Sequence, residues 1–94
     1  MAVLIARLGE NKYVKWSNTT DSPVSNVMSK DDLIEDLESA EQLTFEEAMQ
    51  LVQIANVAGT SDPNLGLESL VATNRAGPSE EWLSLDEIIL HYQG

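Results

Sequence analysis

AVLIARLGENKYVKWS, residues 2–17, decides the fold of this chain. Residues 2–8 are rich in aliphatics and include β-branched Val3 and Ile5, a composition that favours strands. Gly9-Glu10-Asn11 is a turn signal. Residues 12–17 then alternate, with Val14 and Trp16 on one face and Tyr13 and Lys15 on the other. The pattern predicts a β-hairpin. A lone two-stranded hairpin is not stable in water, so this one has to pack on helices, with Trp16 as the expected anchor.

Downstream of the hairpin the period changes from two to 3.6. Residues 18–27 read as a polar loop, with a turn at Asp21-Ser22-Pro23 where Pro23 drives Ser22 towards extended geometry. Ser29 then offers a helix cap, Asp32 stands at the third helical position, and Met28 with Leu33 forms a hydrophobic staple. The first helix is expected over residues 30–40, burying Leu33, Ile34 and Leu37. Thr44 and Glu47 form the capping box of a second helix. Its stripe of Phe45, Ala48, Met49, Val52 and Ala55 is widened by Leu51, Ile54 and Val57. A helix apolar around so much of its girth is expected to be central, and Gly59 ends it.

Residues 60–66 read as a loop, with a third helix starting near Asp62-Pro63 or Asn64 and facing inward through Leu67, Leu70 and Val71. Asn74-Arg75-Ala76-Gly77-Pro78 reads as its stop, Gly77 as a left-handed cap and Pro78 just beyond. Ser84 and Glu87 box the last helix, Leu83 and Ile88 staple it, and Leu85, Ile88, Ile89 and Tyr92 form its inner face. The expected fold class is α+β: an N-terminal β-hairpin packed on a bundle of about four helices. One domain spans residues 1–94, with the hairpin in 1–17 and the helical body in 29–94.

Charge is distributed unevenly. Residues 30–47 carry Asp31, Asp32, Glu35, Asp36, Glu38, Glu41, Glu46 and Glu47 against Lys30 alone, a local charge of −7 out of −11 for the chain. Residues 1–29 sum to +1 and residues 30–94 to −12. Such a face repels nucleic acid and anionic lipid and attracts basic protein surfaces; the simpler reading is a solvated face that keeps a small protein dispersed. The chain has no cysteine, which removes disulfides, thiolate metal sites and a cysteine nucleophile. No apolar run approaches the ~20 residues of a membrane span, and residues 1–8 do not have the pattern of a signal peptide. Cytoplasmic residence is the expectation.

Several short motifs also resemble a known group. Lys12-Tyr13-Val14-Lys15-Trp16-Ser17, Asp21-Ser22-Pro23-Val24 and Met28-Ser29-Lys30-Asp31-Asp32-Leu33 are similar to a strand, turn and helix cap of small accessory proteins of actinobacteriophages and prophages. Ala58-Gly59-Thr60-Ser61, residues 67–70, Asn74-Arg75-Ala76-Gly77-Pro78 and the ending from Leu83-Ser84 to Tyr92 extend the resemblance over nearly the whole chain. It implies binding to a bacterial target rather than catalysis, and it brings no catalytic residues with it.

Chemistry is sparse. His91, the sole histidine, falls in the last turn of the last helix, where the helix dipole explains it without an activating partner. The serines lack a Gly-x-Ser-x-Gly setting. Asp31, Asp32, Glu35 and Asp36 place acids on neighbouring turns, but without Glu-x-x-His pairs or an EF-hand loop they predict no specific metal. Gly59 and Gly66 are isolated, so no phosphate loop is expected. No cofactor and no enzymatic activity are expected.

The remaining candidates are surfaces. Arg7, Lys12, Tyr13 and Lys15 suggest a small basic-aromatic patch, too weak for a nucleic-acid footprint. Arg75 reads first as an ion-pair anchor at a helix C-terminus and second as a partner contact, and Asn74 is suited to bonding loop backbone. Trp82 is expected to be half-buried and is the best single interface anchor. The candidate partner-binding residues are Asp31, Asp32, Glu35, Asp36, Glu38, Trp82 and Arg75. The expected function is a non-catalytic, phage-type accessory protein that binds and modulates a bacterial host protein, with no nucleic-acid or membrane partner. The alternative is a self-associating assembly protein, a homodimer through the second helix; a lower alternative is a DNA mimic that occupies a DNA-binding protein.

Overall fold

The computed structural model describes residues 3–17, 19–62 and 64–93. Readings that touch Ala2, Asn18 and Pro63 lie outside the described residues. The elements run β1 (Val3–Gly9), β2 (Lys12–Ser17), β3 (Ser22–Pro23), α1 (Lys30–Ser39), α2 (Phe45–Ala58), α3 (Leu67–Ala72) and α4 (Leu85–His91). The fold is α+β, as the sequence predicts.

β1 and β2 pair antiparallel, Leu4 opposite Trp16 and Ala6 opposite Val14, across a turn in which Asn11 takes a φ of 53°. Asparagine tolerates that left-handed geometry. The alternation of β2 sorts its side chains as expected. Ile5 and Tyr13 face one hydrophobic cluster with Leu33, Leu37, Ala48, Val52 and Ala55. Ala6, Leu8, Val14 and Trp16 face the other, with Leu70, Ala76 and Ile88. The sheet therefore lies between two helical layers, α1 and α2 on one side and α3 and α4 on the other. This division is finer than the single bundle expected, and it follows from a hairpin that is apolar on both faces. Trp16, 1% exposed, is the expected anchor.

Both edges of the β1–β2 hairpin are partly covered. β3 adds a third strand, Trp16 opposite Pro23, where a turn alone was expected. Beyond it, Met28 bridges Tyr13 through two backbone hydrogen bonds of 2.8 and 2.9 Å. On the opposite edge Thr60 bridges Ala6, the Arg7 amide donates to the Gly59 carbonyl and the Ser61 amide to that of Ile5. The Thr60 hydroxyl, fully buried, donates to the carbonyls of Asp62 and Leu65 and accepts from the Asp62 amide. These pairings shorten the rows of free N–H and C=O groups that could template aggregation.

The helix ends are built locally. Ser29 accepts from the Asp32 amide. Thr44 and Ser84 complete reciprocal boxes with Glu47 and Glu87. Gly59 closes α2 at a φ of 90°. Three expectations change. The expected central helix, α2, is peripheral: the sheet takes the centre and leaves Phe45 and Val57 exposed. α3 starts at Leu67, later than expected, with Gly66 as its N-cap and Thr73 as its C-cap. Gly77 is not a left-handed cap; a Cβ there would lie 2.1 Å from the Glu81 side chain and 2.9 Å from its carbonyl oxygen, so close approach, not φ, requires glycine.

Candidate interaction surfaces

The acidic stretch separates into acids that hold the fold and acids that do not. On α1, Leu33, Ile34 and Leu37 point into the core. Asp31, Glu35 and Glu38, three and four residues apart, share an outer row, with Asp32 beside it; all four are exposed. Asp36 lies at the rim of the helix, half-buried, its carboxylate 2.7 Å from the Lys15 ammonium. Glu41 approaches the same ammonium at 3.4 Å. Burial alone would push the Lys15 pKa down; hydrogen bonding and charge from Asp36, then Glu41, more than offset it and hold Lys15 above the ordinary lysine value. Glu47 is spent on the Thr44 box: its carboxylate accepts from the Thr44 amide, chiefly for which its pKa is lowered. Among the described residues, Asp31, Asp32, Glu35, Glu38 and Glu46 have no cationic partner.

Asp36 therefore leaves the set of freely presented acids. α1 can offer four carboxylates to a partner with little to reorganise, because no ion pair has to break. The arrangement can complement lysine and arginine side chains. Among the described residues, no three histidine or acidic side chains converge as metal ligands.

The basic-aromatic patch does not form. Tyr13 is buried, its hydroxyl donating to Asn56, and Lys15 is held by Asp36 and Glu41; Lys12 alone of that set is exposed, with Arg7 half-buried. β2 turns Tyr13 and Lys15 towards α1 and α2, which alternation alone does not tell.

Arg75 and Trp82 lie on the other side of the sheet, away from the α1 acids. Arg75 is exposed, two residues past the cap of α3, and makes no ion pair among the described residues; its backbone amide donates to Asp21. The expected ion-pair anchor is thus absent among the described residues: α3 stops at Ala72, just before this segment, and the segment itself is a loop clasp. Asn74 is the clasp, as its suitability for loop bonding suggests. Its buried side chain donates to the carbonyls of Val71 (2.6 Å) and Leu83 (2.8 Å) and accepts from the amides of Leu83 (3.0 Å) and Ala76 (3.2 Å). Trp82 is 56% exposed, with its indole N–H donating to Val71 at 2.7 Å. That fits the half-buried expectation, and leaves its ring face as the contact it can offer. His91 is exposed on α4, stacked edge-on with Tyr92.

The second helix, expected as the contact of a homodimer, has a more specific exposed face than its stripe suggests. The outer face of the C-terminal half of α2 presents Gln50, Gln53, Ile54 and Val57 around a shallow groove, with Val57 91% exposed. Its signal is the absence of charge from residues 48–61. Among the described residues, no helix is long and apolar enough to cross a membrane. Set against protein-family models, curated proteins and solved structures, the chain gives no match.

Proposed function

We propose that this is a non-catalytic accessory protein that binds and modulates a bacterial host protein through the outer face of α1. One observation carries the reading: Asp31, Asp32, Glu35 and Glu38 are exposed on one short helix with no cationic partner among the described residues, while Lys15 holds Asp36 back. Like charges on adjacent turns cost helix stability, and a basic partner surface would relieve that cost. The phage-type resemblance supplies the class of partner. Electrostatic steering of this kind speeds association and confers salt sensitivity more than it adds affinity.

A DNA mimic would use the same carboxylates in place of phosphates. The track from Asp31 to Glu38 is about 10 Å long at the helical rise. That is matched by roughly three phosphates of one strand, short for a duplex imitation, so a basic protein surface is the preferred partner.

The test is the affinity of a captured host partner as a function of salt. Binding should weaken steeply with ionic strength, and the variant Asp31→Asn, Asp32→Asn, Glu35→Gln, Glu38→Gln should lose both the affinity and its salt slope. An affinity independent of salt and of those four substitutions would refute the reading.

A further inference from the structure

We propose that two copies of this chain pair through the outer face of the C-terminal half of α2, about a two-fold axis at Val57. The inference is independent of the role given to α1. A two-fold contact uses the same patch on both subunits, so the patch has to complement itself. On a chain of charge −11, most faces fail that requirement by setting acid against acid. α1 presents four free carboxylates, and the first turn of α4 presents Asp86 and Glu87. The α2 face carries Gln50, Gln53, Ile54, Val57 and Ala58 and no charge.

Each group there can meet its own kind. Val57 stands 91% exposed and lines a shallow groove with Ile54 and Ala58, so an axis there sets aliphatic side chains against their own copies. Glutamine amides both donate and accept, so Gln50 and Gln53 can bond the same residues of a second copy. Val57 and Ala58 also wall a neighbouring groove that contains Arg7 and Glu68. Neither is ion-paired among the described residues. Across the axis, Arg7 would face the partner's Glu68, and Glu68 the partner's Arg7, giving two reciprocal pairs. A patch of these few residues falls short of the roughly 20–30 residues a side of a standard stable interface, so the pairing is weak and concentration-dependent.

Sedimentation equilibrium from micromolar to millimolar protein tests this. The average mass should rise from 10.3 kDa towards twice that value. Val57→Glu, at a position too exposed to disturb the core, should hold it at one chain's mass. Glu68→Arg should weaken pairing, and Arg7→Glu combined with Glu68→Arg should restore it. A mass that stays at 10.3 kDa throughout, or a self-association that Val57→Glu leaves unchanged, overturns the proposal.

Discussion

α1 and α2 are neighbours in sequence and share one core, yet their outer faces are opposites. Inward, Leu33 and Leu37 from α1 meet Ala48, Val52 and Ala55 from α2 against Ile5 and Tyr13. Outward, α1 shows four free acids, whereas the last three turns of α2 show amides and aliphatics. Inner faces are constrained by packing, and both helices obey the same rule there. Outer faces have no such constraint, so a difference this sharp between adjacent helices points to different uses.

The largest effects should come from the inner faces, where the two helices behave alike. Leu37→Ala on α1 should cost about 2–5 kcal/mol in chemical denaturation; Val57→Ala on the outer face of α2 should fall within about 0.5 kcal/mol. A large loss at Val57 would mean that the face is packed in the isolated chain.

Next in size is the ion pair at the rim of α1. Asp36→Asn should destabilise by about 1 kcal/mol, since it weakens the partnering of a lysine that is largely covered; Asp31→Asn should change little. Equal losses at the two positions would erase the division between structural and free acids. The same contact sets an alkaline limit. The Lys15 pKa is raised in the folded state, so its contribution is intact below the unfolded lysine value and is lost as pH rises through the folded one. The capping glutamates set an acid limit. Glu47 and Glu87 are lowered, chiefly by backbone hydrogen bonds from Thr44 and Ser84, so their contribution is present above the unfolded carboxylate value and disappears as pH falls through the folded one. Melting followed against pH should show Lys15→Met losing part of the alkaline decline and Glu47→Gln part of the acidic one.

The smallest effect concerns the outer row itself. Glu35→Gln with Glu38→Gln removes like-charge neighbours and should leave the melting temperature unchanged or raise it by the equivalent of a few tenths of a kcal/mol. A clear loss of stability would show that these acids hold the fold, and with it remove the contrast between the faces.

What was legible in the sequence was what neighbours in the chain determine. The alternation in residues 12–17, the caps at Ser29, Thr44 and Ser84, and the left-handed Gly59 each depend on a few adjacent residues, and each is present. Edge coverage was not legible, because the pairings of Met28 with Tyr13 and of Thr60 with Ala6 join distant segments. Gly77 was misread for a different reason: glycine answers to two needs, positive φ and close approach, and only the fold tells which. The outer row of α1 followed from helical spacing. That Asp36 drops out of it depends on Lys15, delivered from another element, and that α2 leaves Val57 in the open depends on the sheet taking the centre.

The most direct test of the division between the two outer faces is a capture experiment from bacterial lysate with three tagged proteins: the wild type, the α1 variant neutralised at Asp31, Asp32, Glu35 and Glu38, and Val57→Glu. A host protein held by the wild type and by Val57→Glu but released by the α1 variant is the predicted result. The same protein retained by the α1 variant, or lost on Val57→Glu, would contradict it.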